Sequence, residues 1–229
     1  MAKNSGWQKA LFALNALVAW AAVGLSFTLM WIGYYVDTQD LTQPTLLGNV
    51  AGGNDTVLER FLDWSSYFTI LSNIVVAIVM TMLVLRPEKF TSRGSEFWKV
   101  LRLDSLLMIT ITGIVYNALL AGGTKVEWDY WSNMLQHIVN PIVTVAVFLI
   151  AGPRGLLSVK TIFKALLIPI LWAAYVLVRG IVINAYPYFF FDAATYGWVS
   201  VFTFIAEIMV AAIVLGFILV GYDKVFARK

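Results

Sequence analysis

Six stretches of this chain each stay apolar for about 20 residues, the length that carries an α-helix across the hydrocarbon of a bilayer. They run at roughly 7–35, 61–85, 98–121, 131–151, 160–181 and 196–221. Backbone in hydrocarbon must satisfy its own hydrogen bonds, so stretches of this length and composition fold as helices. Of all residues, 60% are hydrophobic and 13% charged, against roughly half and a quarter in soluble domains. The expected fold is therefore all-α: a six-transmembrane-helix bundle forming one integral membrane domain over residues 1–229, with no appended soluble domain. The first stretch opens with Lys3 and Lys9 and contains the small-x-small Ala19-Trp20-Ala21. Its apolar run continues to Tyr35, which reads as a retained signal-anchor helix rather than a cleaved leader.

The basic residues orient the bundle. If six helices alternate, Lys3, Lys9, Arg86, Lys89, Arg93, Lys99, Arg102, Arg154, Lys160, Lys164, Lys224, Arg228 and Lys229 fall on one side. Only Arg60, Lys125 and Arg179 fall on the other. By the positive-inside rule both termini are cytoplasmic, and an odd number of spans would scramble this partition. The basic residues sit at helix ends with no aromatic-interleaved patch, so no nucleic-acid partner is expected. With a single histidine and no cysteine in the chain, no compact metal-ligand set exists. The glycine pairs lie in turns rather than in a phosphate-cradling loop, so neither metal nor cofactor is expected. No internal repeat points to an inverted-repeat transporter.

Two outer connections stand out. Val36 to Arg60 is rich in Gly, Asn, Asp and Thr and holds Asn54-Asp55-Thr56, a glycosylation acceptor pattern in a secretory setting. Asn184 to Asp192 is aromatic. It reads as an interfacial anchor, the alternative being a lid over an outward-facing pocket.

Polar residues inside a membrane span face a bundle interior or a wet cavity. His137 lies in the fourth span, where Asn133, Gln136, His137 and Asn140 recur at i, i+3, i+4 and i+7, one stripe of an α-helix. In the second span Ser65, Thr69, Ser72 and Asn73 share a face. Ser105, Thr112 and Tyr116 share one in the third, Trp172, Tyr175 and Arg179 mark the fifth, and Ser200, Thr203 and Glu207 the sixth. At ~1.5 Å per residue, Thr69 lies roughly 12 Å and His137 roughly 9 Å from the outer ends of their spans. Tyr116 and Asn117 approach the same level. The expected polar pocket is therefore Ser72, Tyr116, Asn117, Asn133, Gln136, Asn140, Tyr175 and Thr203 around these two.

A hydroxyl and an imidazole at one depth suit nucleophilic catalysis, because threonine attacks a carbonyl only when a base takes its proton. The plain alternatives are a hydrogen-bonded structural histidine and a threonine bonded to the carbonyl four residues back. Glu207 is expected to meet either His137, as its orienting acid, or Arg179, as a bundle clamp. Asp104 is expected to pair with Arg102 or Lys99. Asn73, one turn from Thr69, is a candidate oxyanion donor, with Arg179 a second candidate for an oxyanion or a substrate carboxylate.

The pair Phe68-Thr69 followed two spans later by His137 with nearby Pro141 resembles the androgen-induced multi-pass membrane threonine hydrolases, which cleave fatty-acid esters of hydroxy fatty acids. Tyr67-Phe68-Thr69-Ile70-Leu71-Ser72-Asn73, Thr112-Gly113-Ile114-Val115-Tyr116-Asn117, Gly152-Pro153-Arg154-Gly155, Val178-Arg179-Gly180 and Tyr186-Pro187-Tyr188 are similar to a bacterial six-helix branch of that family. The likeness runs from Tyr67 to Asp192. It implies Thr69 as nucleophile, His137 as its base, a lipid ester substrate among membrane lipids, and a bacterial cytoplasmic membrane. The alternative function is a non-enzymatic lipid-binding or small-solute, proton-coupled transport protein using Glu207, Arg179 and His137.

Overall fold

A computed structural model describes residues 5–34, 56–91, 93–121 and 127–227. Asn54 and Asp55 of the acceptor pattern, and most of the connection that carries them, lie outside the described residues. The architecture is all-helical: α1 (Gly6–Trp31), α2 (Val57–Ser65), α3 (Phe68–Leu85), α4 (Glu96–Val115), α5 (Glu127–Met134), α6 (Asn140–Ala151), α7 (Val159–Ala165), α8 (Leu167–Ile183) and α9 (Ala193–Phe226). A π turn, Tyr116–Leu120, extends α4, and a second, Leu135–Val139, joins α5 to α6. Among the described residues six helical stretches are long and apolar enough to cross a membrane: α1, α3, α4 with its π turn, α5–α6, α7–α8 and α9.

The expected spans differ from these in their breaks. The second divides at Ser66–Tyr67 into α2 and α3. The fifth divides at Leu166, where Pro169 has no N–H for the carbonyl of Ala165. Near its start α9 is interrupted at Gly197, whose φ of 77° is open to glycine but not to a β-carbon-bearing residue without strain.

α1, α3, α4 and α6 form the packed core through Phe12, Ala19, Val76, Met80, Met108 and Val147. The remaining spans, α7–α8 and α9, form an arm beside it. The arm is joined at two levels. Near the end where α1 begins and α9 finishes, Leu103, Leu106 and Phe148 of the core pack with Ile162, Leu219 and Val220, and the Leu157 N–H donates to Asp223. At the opposite end Val176, Tyr186, Tyr188 and Phe191 pack on Tyr67 and Phe68. A cavity remains between these two attachments.

Asp104 does not form the expected pair. It is fully buried, and among the described residues neither carboxylate oxygen has a hydrogen-bond partner. Arg102 instead donates to the Gly152 carbonyl (3.2 Å) and lies 5.4 Å over the Phe148 ring. Residues two apart on a helix point to different faces, so Arg102 turns to α6 and away from Asp104.

Candidate active site

Thr69 is the second residue of α3, and that position decides what its side chain can do. A threonine further along a helix bonds the carbonyl four residues back. Here that residue, Ser65, closes α2, and the chain turns before α3 begins. The hydroxyl points across the bundle instead, and Oγ1 lies 3.1 Å from His137 Nε2. The other ring nitrogen, Nδ1, lies 3.1 Å from the Asn133 carbonyl oxygen. A carbonyl only accepts, so Nδ1 carries the proton and Nε2 presents its lone pair to the Thr69 hydroxyl. The orienting group of the imidazole is thus a backbone carbonyl.

In a regular α-helix the Asn133 carbonyl would accept from the His137 N–H. The π turn at Leu135–Val139 widens the ladder beside this carbonyl: the Asn140 N–H bonds the Leu135 carbonyl, five residues back. Such a wide turn takes carbonyls out of the α-helical ladder, which is why π turns recur at functional sites. The second π turn begins at Tyr116, whose ring stacks on His137 with centroids 3.7 Å apart and planes 14° apart. Asn117 donates to the Gly113 carbonyl (2.8 Å) and to the His137 carbonyl (3.4 Å). The two helices approach closely because position 113 is glycine: a β-carbon there would lie 3.1 Å from Pro141 Cβ.

Tyr188 completes the site. As a first-turn residue, Thr69 has a backbone N–H with no partner within its helix, and it donates to the Tyr188 hydroxyl oxygen at 3.3 Å. The same hydroxyl is 3.3 Å from Thr69 Oγ1. With the Thr69 proton directed at His137, the tyrosine O–H donates to Oγ1. Burial pushes the Tyr188 hydroxyl above its ordinary ionisation range, with its bonds to Thr69 and Phe68 opposing. It is held as a neutral donor at the positive end of α3.

Thr69 lies at the edge of a cavity whose empty volume, its open mouth included, is about 630 Å³. Ile111, Val115, Trp172, Phe190, Phe204 and Ile208 give it walls that are almost wholly apolar. Tyr188, Phe190 and Phe191 all line it, so the connection after α8 covers the cavity, as in the lid alternative. Gly180 seats this lid: a β-carbon there would fall 2.0 Å from Tyr186 Cε1.

Behind the pair runs a buried polar ladder. Asn15 donates to Asn140 Oδ1 (3.1 Å) and Thr144 Oγ1 (3.0 Å), Asn140 to Asn73 Oδ1 (2.7 Å), and Asn73 to the Thr69 carbonyl (2.7 Å). Ser72 donates to the same carbonyl (2.9 Å) and meets Thr112 Oγ1 (2.9 Å). The ladder ties α1, α3 and α6 together and anchors the turn that carries Thr69.

Thr69, Tyr116 and His137 come together as expected, and the other predicted pocket residues take different places. Asn73 and Asn140 are consumed by the ladder, so the Asn73 amide is not an oxyanion donor. Ser72 bonds across to Thr112 and does not line the cavity. Asn117 braces the backbone of His137. Asn133 turns back to the Asp129 carboxylate (2.7 Å) and Gln136 to Ser132 Oγ (2.8 Å). Thr203 and Glu207 are exposed on the outer face of α9, so Glu207 reaches neither His137 nor Arg179. Arg179 pairs with the buried Asp63 and donates to Ser66 Oγ (3.2 Å). Trp172 donates to the Ser66 carbonyl (2.9 Å), and the Tyr175 hydroxyl is 3.3 Å from Ser66 Oγ. All three polar side chains of α8 therefore converge on the turn that precedes Thr69; only the Trp172 ring also lines the cavity.

Tyr188, Asp63, Ser66 and Asn15 are the residues that sequence reasoning passed over as site groups. Asn15 did carry a signal, as a lone amide inside an apolar run. Asp63 carried one as an acid at the start of a span with basic Arg179 at a matching depth. Among the described residues no cluster of three or more His, Cys, Asp or Glu could hold a metal ion. Compared with family models, with curated proteins and with solved structures, the chain finds no match in any of the three.

Proposed function

We propose that this chain is an intramembrane hydrolase of fatty-acid esters, with Thr69 as nucleophile and His137 as general base. The observation that carries the reading is the Thr69 Oγ1–His137 Nε2 contact of 3.1 Å, made with a fixed tautomer at the edge of an apolar cavity. A general base must stand within hydrogen-bond reach of the proton that it takes, and a lipid acyl chain suits an apolar cavity with few, convergent polar groups.

His137 Nε2 takes the Thr69 proton as Oγ1 attacks the acyl carbonyl carbon. The imidazolium is held through Nδ1–H on the Asn133 carbonyl and by the stacked Tyr116 ring. The carbonyl π electrons move to its oxygen, and the Tyr188 O–H is the donor nearest to that developing charge. Its own oxygen accepts from the Thr69 amide, which polarises the O–H. Collapse breaks the ester C–O bond, and the leaving alkoxide takes the proton from Nε2. Water then gives a proton to Nε2 as its oxygen attacks the acyl-threonine. Thr69 leaves, reclaims that proton, and the fatty acid is released. In this reading the charge partition puts both termini in the cytoplasm and the Thr69 site in the outer half of a bacterial cytoplasmic membrane.

The test is covalent labelling with an acyl-directed fluorophosphonate, followed by peptide mapping. The expected adduct is on Thr69, absent in Thr69→Ala and weakened in His137→Ala. Failure of several acyl electrophiles to label the folded protein would overturn the hydrolase reading in favour of lipid binding.

A further inference from the structure

A second, smaller cavity lies one helical turn further from the lid. Its walls share Phe68, Ile111, Pro169, Ile208 and Met209 with the first. Those five side chains form a collar between the two spaces. Beyond the collar the second cavity is bounded by Leu107, Met108, Ala165, Leu166 and Ala212, with no polar side chain among them. One turn past Ala212 the space closes: a β-carbon on Gly216 would lie 2.8 Å from Ile162 Cγ2, so α9 and α7 touch there with nothing between them.

We infer that the second cavity is the terminal compartment of an acyl channel running from Thr69 toward the end that carries the termini, and that Ala212, with Met209 as its gate, sets the acyl length the site accepts. This rests on the hydrolase reading above and goes beyond it by naming the substrate's acyl class. Tyr116 stands at the level of His137, on which it stacks, and it lines the first cavity as Leu107 lines the second. From Tyr116 to Leu107 the wall of α4 advances about 14 Å at ~1.5 Å per residue. An extended chain advances about 1.2 Å per bond, a third of an extended residue, so the two compartments together take an acyl group of roughly twelve carbons. The first compartment alone, down to Ile111, takes roughly six by the same measures. Alanine at 212 and at 165 leaves the far compartment empty where a larger residue would fill it. Met209 has three side-chain torsions and no branch, so it can clear the collar by rotation.

The experiment is a series of p-nitrophenyl esters from four to sixteen carbons, presented to the purified full-length chain in one fixed detergent. Each buried methylene is worth about fourfold in binding. Closing the far compartment with Ala212→Phe is expected to lower the ratio of kcat/KM for the twelve-carbon over the six-carbon ester by at least about tenfold. Met209→Ala opens the collar and is expected to raise that ratio, and it serves as the deciding variant if Ala212→Phe does not fold. Wild-type turnover with a chain-length profile that neither variant alters overturns the channel while leaving the hydrolase intact. Absence of wild-type turnover on every ester, together with absence of Thr69 labelling, overturns both.

Discussion

In the core spans α1, α3, α4 and α5–α6, between 39% and 56% of the most apolar stretch is buried within the protein, whereas in α7–α8 the share is 17% and in α9 it is 22%. The core holds Thr69, His137 and the polar ladder, all set by close packing among four spans. The arm contributes cavity wall, lid and one hydroxyl, and it is joined to the core mainly at its two ends. Dense packing positions a side chain through many contacts, while a sparsely attached element depends on a few specific ones. Damage in the core should therefore appear in the chemical step at unchanged access. Damage in the arm should appear in how the lid hydroxyl and the acyl chain are presented.

The largest expected effect is in the core. His137→Gln removes the acceptor for the threonine proton and should lower kcat by about 10²–10⁴, the usual worth of a positioned base. Protonation does the same reversibly, because an imidazolium has no lone pair at Nε2. Activity should therefore fall as pH is lowered through a single ionisation that is missing from the residual activity of His137→Gln. A pH–rate profile on the acid side that is identical in the two proteins would assign the ionisation elsewhere.

Tyr188→Phe is the matching change in the arm. It keeps the ring, which packs among Trp172, Phe190 and Phe191, and deletes the hydroxyl. Loss of one oxyanion donor costs about 10²–10³ in kcat, so the variant should lose nearly as much as the base variant while KM changes little. Equal labelling and turnover in Tyr188→Phe and wild type would show the lid to be wall alone. A smaller loss is expected from Gly180→Ala. Its β-carbon would fall 2.0 Å from Tyr186 Cε1, so the lid, and with it the Tyr188 hydroxyl, must shift while Thr69 and His137 stay in place. Misplacement of about 1 Å remote from the chemistry can cost up to ~10²-fold; a loss of about tenfold, divided between kcat and KM, separates a displaced lid from a missing donor. Gly180→Ala kinetics equal to wild type would mean that the lid position does not control the site.

The core and the arm also differ in how far the sequence exposes them. Six spans are legible because hydrocarbon leaves the backbone few options, and Thr69 and His137 are legible because two polar groups at one depth need a shared destination. The stripe of Asn133, Gln136, His137 and Asn140 was counted on α-helical geometry, and the π turn at Leu135–Val139 breaks that count, which sends Asn140 to α1 and α3 and leaves His137 alone facing Thr69. No spacing in the sequence announces a π turn, since it is a change of hydrogen-bond register made stable by tertiary contacts such as Tyr116 on His137. Glu207 was placed inward because acids in spans usually face inward, and the order of helices around the bundle, which decides its actual face, is not carried by any one span. Tyr and Phe in the connection after α8 suit an interfacial anchor and a lid alike, and only the contact of Tyr188 with Thr69 shows that this connection also covers the cavity.

The last and smallest effect on turnover concerns the joint between the two regions. Arg179 reaches from α8 to Asp63, whose side chain is 2% exposed, while its own is 17% exposed. Truncating one partner of a buried ion pair leaves the other charge without compensation and typically costs about 3–5 kcal/mol, although partial exposure of the arginine places this pair toward the lower figure. Arg179→Met keeps the aliphatic length and removes the charge, so unfolding in detergent should shift downward by several degrees. The double variant Arg179→Met with Asp63→Leu, which leaves no orphaned carboxylate, should recover most of that shift. Trp172 and Tyr175 still hold the Ser66 turn in both variants, so Thr69 stays positioned and turnover per folded molecule should change by less than about threefold, on the order of an imperfectly braced but intact site. A loss of turnover as large as that of Tyr188→Phe, without loss of stability, would instead put Arg179 among the groups that act on the substrate and would dissolve the division between a catalytic core and a covering arm.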